Sequence, residues 1–164
     1  MFRSPKTIAL IVATLLMAAP AVFANDLHWR LEQVNVVREM AFRDEMHVFD
    51  KGHPAKNALY FLSIGDGIKK LADPPDDLMK LFLNDTVTYE PATACEVHND
   101  YVQDAKTLKR GTLFWVSSVW WLGDHMADVD CGYSAGGLIT DKQIKRFAYE
   151  HGAWKIIDRK VQEY

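Results

Sequence analysis

Residues 113–133 read LFWVSSVWWLGDHMADVDCGY, and the folding of this stretch decides the architecture. Leu113–Trp121 is rich in aromatic and β-branched residues, Gly123-Asp124 suits a tight turn, and Met126–Tyr133 alternates apolar with polar. The spacing predicts a strand, a short connection and a returning strand. Strand alternation puts Ala127, Val129, Cys131 and Tyr133 on one face and Asp128 and Asp130 on the other. The thiol and the two carboxylates therefore point apart and do not form one site. Asp128 and Asp130 share a face, roughly 7 Å apart, and with a further oxygen ligand could hold a hard cation. Their spacing misses the calcium-loop pattern, and no HExxH or paired Cys/His cluster suggests zinc, so a solvated strand face is the stronger reading and no metal site is assigned.

Further strands are expected at Ala58–Ile64, a short continuous apolar run, and at Thr86–Glu90, Ile144–Tyr149 and Trp154–Val161. The short connections after Leu113 favour an antiparallel meander, because parallel neighbours need long crossovers. Upstream, Leu27, Leu31, Val34, Val37, Ala41 and Val48 recur at three- and four-residue steps, predicting a long helix from Asp26 to Phe49, capped by Asn25 or Asp26 and ended by Gly52 and Pro54. Asp73-Pro-Pro-Asp-Asp77 reads as the start of a second helix, Pro74–Leu83, with Asp73 as its cap. Residues 96–112 read as the least ordered interior stretch. Helices followed by strands give an α+β fold: a long N-terminal helix packed on a curved antiparallel β-sheet, with one further short helix.

The first 24 residues begin with Arg3 and Lys6, continue apolar from Ile8 to Ala19 and end in Val22-Phe23-Ala24, the layout of a signal peptide cleaved after Ala24. Pro20 interrupts the run before it reaches membrane-spanning length, so membrane insertion after cleavage is not expected. The chain is read as signal peptide 1–24 and a single domain 25–164, exported to the periplasm or the medium. Cleavage removes two cationic residues and no acidic ones, moving the formal charge from −3 to −5. That balance argues against nucleic acid, which calls for a basic stripe. Cys95 and Cys131 both follow the signal segment, and export favours their pairing, which would contribute about 4 kcal/mol by loop entropy; two separately buried thiols are the alternative.

Candidate chemistry is sparse. His98 and Asp100 offer an imidazole and a carboxylate in one loop, able to transfer a proton if buried in a cleft. No GxSxG elbow or phosphate loop is present. Trp121 and Tyr133, among the aromatics crowding the C-terminal half, could line a cavity for a small apolar ligand or anchor a protein partner. Arg38, beside the apolar stripe of the first helix, could reach a carbonyl or carboxylate at the sheet's rim, a structural role in the first instance. No cofactor is called for by any motif.

VNVVREMAFRDEM, YFLSIGDG with DPPDDLMKLF, PATAC, and RGTLFWVSSVWWLGDHMADVDCGYSAGGL together resemble, in that order, segments of a family of small, exported, functionally uncharacterised bacterial proteins. The resemblance spans most of residues 34–158 and implies no activity. The chain departs from that pattern at Thr140–Gln143, where the family has an SGN-type turn, and at Cys131, where it has no cysteine. The last strand, HGAWKII, is similar to the closing hairpin of nuclear-transport-factor-2-like and cystatin-like domains, in which a helix lies in a curved sheet; fold alone does not carry function. The reading reached from sequence is an exported, non-enzymatic binding or interaction module. The alternatives are a small cofactor-free enzyme using His98 and Asp100 in a cone-shaped cavity, and a structural or inhibitory protein of the cell envelope.

Overall fold

The computed structural model describes residues 5–51, 57–83, 86–136 and 139–161. By backbone contacts the chain divides into two units, Met1–Val34 and Asn35–Tyr164. The described part of the first unit is helical throughout, belonging to α1 (Pro5–Phe49). The expected break at Asn25 is not there: the helix runs through it without interruption. Leu27 and Leu31 are exposed rather than part of a core stripe. Among the described residues no helix is long and apolar enough to cross a membrane.

The second unit contains the end of α1 and the β-sheet. Its strands are β1 (Leu59–Ser63), β2 (Thr88–Pro91), β3 (Cys95–Val97), β4 (Val102–Asp104), β5 (Arg110–Trp121), β6 (Met126–Gly136), β7 (Ile139–Glu150) and β8 (Ala153–Val161). The main path runs β2-β1-β5-β6-β7-β8, and β4 joins β5 while pairing with β3. From β5 to β8 the strands form the expected antiparallel meander. The other edge differs from the expectation, since β1 is parallel to both β2 and β5 and the sheet is mixed. The connections from β1 to each neighbour are long enough for parallel crossovers, and the first contains the short helix α2 (Asp76–Lys80).

β1 is buried at all five positions. A strand covered on both faces reads as an unbroken apolar run, which is why LYFLS lacks alternation. On the outer face Leu59 and Phe61 join Ala92, Cys95, Val102, Leu113 and Trp115 in a core cluster beneath β3 and β4. On the inner face Tyr60 meets Phe114 at 5.1 Å between ring centroids. The β3–β4 hairpin occupies the stretch read as least ordered; Asp104 organises its exit by accepting from the Lys106 and Thr107 amides. Asp73 does not cap α2. Its carboxylate instead accepts from the amide and hydroxyl of Thr93, at 2.8 and 2.6 Å, while Pro75 is the N-cap residue. Gly52 and Pro54 lie outside the described residues. β7 and β8 are joined by His151 and Gly152, whose φ angles of 53° and 84° are those of a two-residue hairpin turn.

The cysteines are unpaired, contrary to the favoured expectation. Cys95 belongs to the outer cluster with Trp115. Cys131 pairs in register with Val116, the residue after Trp115, so its side chain faces the opposite side of the sheet. The sheet itself separates the thiols. Burial pushes the Cys95 thiol up to about 11 and raises the Cys131 thiol well above its ordinary range. Thiol counting with Ellman's reagent should find both thiols silent in native buffer and both reactive in guanidinium; no thiol after denaturation would mean a disulfide. Gly132 lies flat beneath the Trp115 ring, and a Cβ there would stand 2.0 Å from the Asp141 carbonyl oxygen and 2.7 Å from the indole. Gly132→Ala should therefore lose about 1–3 kcal/mol in urea unfolding.

Candidate functional site

Two contacts fix the level of α1 on the inner face. The Phe49 ring sits 5.0 Å from Tyr133 and 5.6 Å from Phe114, and one turn back Glu45 Oε1 accepts from the Cys131 thiol at 3.3 Å. Four helical residues advance about 6 Å and two strand residues about 6.6 Å, so α1 runs along β6 in the same direction. Three contacts fix its rotation. Asp44 turns to β8, where Arg159 donates to it at 2.7 Å; Phe42 turns the other way to Phe82; Asn35 donates to Asp77 of α2 at 2.6 Å.

Between these flanks Glu45 and Lys145 are fully buried, with Lys145 Nζ 2.6 Å from Glu45 and 2.7 Å from Asp44. Burial opposes the charge on Lys145, but the Glu45 and Asp44 carboxylates outweigh it and its pKa is raised. Burial raises the Glu45 pKa despite Lys145. Burial also pushes Asp44 up, yet hydrogen bonds from Arg159 and Lys145 outweigh it and hold Asp44 below the usual range. These groups neutralise one another away from solvent, and the neighbouring thiol is held protonated, so the cluster is an anchor rather than an acid, base or nucleophile. Sequence reading missed it, although Glu45 stands in phase with Ala41 and Phe49 and Lys145 in phase with Phe147.

The residues singled out from sequence fall in different places. His98 and Asp100 are exposed at the β3–β4 turn, where His98 Nε2 lies 3.4 Å from Glu96 and its ring stacks on Tyr101. Both side chains are exposed on the hairpin rather than enclosed. Asp128 and Asp130 do share the outer face, but Arg146 grips Asp128 with two hydrogen bonds at 2.7 and 2.8 Å and Lys142 stands 3.3 Å from Asp130. Both carboxylates thus have a protein cation beside them. Tyr133 is wedged between Phe49 and Phe114 as part of the helix-to-sheet contact. Trp121, paired with Ala127, faces inward and lies 5.8 Å from Trp154, while Trp120 is on the outer face.

Arg38 is different. It precedes Glu45 by seven residues, placing it within about 20° of the same helix side and about 10 Å further along, between the levels of Val129 and Ala127 on β6. Their partners on β5 are Val119 and Trp121. Here β5 has lost its neighbour, because β1 ends at the Ser63–Trp115 pair while β5 continues to Trp121. Thr112–Val116 are buried and Ser117–Trp121 are not. Of the buried side-chain atoms without a hydrogen-bond partner among the described residues, Glu45 Oε2 and Lys145 Nζ belong to the ion-pair cluster and Asp130 Oδ1 to the outer face, while Asn35 Oδ1 and Arg38 Nε lie one helical turn apart on α1. Desolvation alone acts on the Arg38 guanidinium and lowers its pKa. No family model, curated protein or solved structure matches the chain.

Two outcomes follow for the buried cluster. Lys145→Met, which strands Glu45 in the interior, should lose about 3–5 kcal/mol in urea unfolding, and adding Glu45→Gln should recover much of that loss. Because the Asp44 pKa is lower folded than unfolded, its contribution is present above the unfolded carboxylate range and is lost as pH falls through the folded value. Asp44→Asn should accordingly flatten the acid limb of a stability-versus-pH curve; an unchanged limb would remove Asp44 from the linkage.

Proposed function

We propose that the chain is exported and acts as a non-enzymatic binding module that takes a small molecule at the open side of the helix–sheet layer, beside Asn35, Arg38 and the unpaired end of β5. The observation that carries this reading is the pair of buried polar atoms without partners, a donor and an acceptor one helical turn apart. Buried polar groups ordinarily have partners, so such a pair marks a place where something polar completes the structure. The inner surface there is apolar, with Val119 and Trp121 in register with buried Val129 and Ala127. An apolar wall with a few polar groups is the usual make-up of a small-molecule site.

The same reading takes the sheet to curve around α1. Register shifts lie at Val116/Ser118 on β5, Ser134/Gly136 on β6 and Arg146/Phe147 on β7, and bulges bend and twist the strands that carry them. Export rests on the charged, apolar and small-residue succession of residues 1–24.

Native mass spectrometry of protein expressed from the full chain and recovered from the periplasm tests both parts. The expected species begins at Asn25 and carries a small-molecule adduct that the Arg38→Gln protein lacks. Retention of residues 1–24 would contradict export with cleavage, and the same bare mass for wild type and variant would contradict the binding site.

A further inference from the structure

Resting on the binding reading above, we propose that the ligand is a small organic carboxylate bearing an O–H or N–H donor on the carbon beside the carboxyl group, with an apolar substituent turned to the β5 wall. Both poles of the site follow from the hydrogen bonds present. Asp77, an acceptor when ionised, takes the amide nitrogen of Asn35 at 2.6 Å, so the Asn35 side-chain orientation is determined and its Oδ1 faces away as an acceptor awaiting a donor. Arg38 presents Nε–H as a donor awaiting an acceptor.

Charge selects among acceptors. Arg43, Lys142, Lys145, Arg146 and Arg159 each have a carboxylate within 3.3 Å. Arg38, partly withdrawn from water, has no described carboxylate beside it. A neutral acceptor would fill the hydrogen bond alone, whereas a carboxylate also pairs the half-buried guanidinium charge. The planar fork of a guanidinium also matches the two oxygens of a carboxylate better than a single carbonyl. Residues three apart on a helix have Cβ atoms about 5–6 Å apart. That span suits one compact group carrying the carboxylate and the donor on adjacent carbons.

Calorimetric titration of the purified wild-type protein with three probes provides the test: mandelate has the charge, the donor and an aromatic body, phenylacetate lacks the donor, and mandelamide lacks the charge. Mandelate should bind, with phenylacetate and mandelamide each weaker by about tenfold or more. Arg38→Gln should abolish the preference for mandelate over mandelamide while leaving the thermal midpoint unchanged or higher, since it removes an unpaired, partly buried charge; Arg38→Lys should retain part of the preference. Mandelamide binding as tightly as mandelate would overturn the inference and leave the binding module standing. Phenylacetate matching mandelate would overturn the role of Asn35. Binding by none of the three would overturn the inference, and the site would then hold water alone if the mass spectrum also showed no adduct.

Discussion

The Glu45–Lys145 ion pair is the constraint to which the remaining geometry is referred. Both groups are withdrawn from water, and a charge so placed is tolerated only when its partner is in position. Apolar contacts between a helix and a sheet tolerate sliding and rotation; a buried ammonium held by two carboxylates does not. With Glu45 over Cys131 and Lys145, Phe49 must fall at Tyr133, Asp44 must meet Arg159, and Arg38 must come to the level of Val119 and Trp121.

A second feature bears on the proposed site. β1 is a five-residue strand, while β5 beside it has twelve. The shorter strand covers the half of β5 nearest the Phe49 end of α1, where the aromatic contacts among Phe49, Tyr60, Phe114 and Tyr133 close the layer. Beyond Trp115, β5 has no strand partner on that side, and α2 approaches α1 there through the Asn35–Asp77 hydrogen bond. Asn35 Oδ1 and Arg38 Nε, buried without hydrogen-bond partners, stand on this stretch of α1, while on the outer face of β6 and β7 Arg146 grips Asp128 and Lys142 stands beside one oxygen of Asp130.

Much of this was legible in the amino-acid order. The turn at Gly123-Asp124 and the alternation after Met126 specify the central hairpin and assign Asp128, Asp130 and Cys131 to their faces, because the side-chain period of a strand is two. The three- and four-residue steps through Val37 and Ala41 specify α1. What could not be read is non-local. The parallel pairing of β1 depends on chain segments far apart, and nothing in LYFLS distinguishes a parallel neighbour from an antiparallel one. Cys95 sits at the start of a three-residue strand whose phase no local pattern reveals, so its position across the sheet from Cys131 was hidden. Asp73 carries every mark of a helix cap, yet tertiary structure offers it Thr93 instead. Glu45 and Lys145 were readable in principle, as charges falling in the apolar phase of two elements, and Arg38 lies on that same side of the helix seven residues earlier.

The most direct measurement is an NMR spectrum of the protein labelled with ¹⁵N-lysine. The account predicts one side-chain ammonium, that of Lys145, exchanging slowly with water at neutral pH and showing nuclear Overhauser effects to the side-chain protons of Glu45. An absence of any protected lysine ammonium, or contacts from Lys145 to a different turn of α1, would contradict the register on which the site is built.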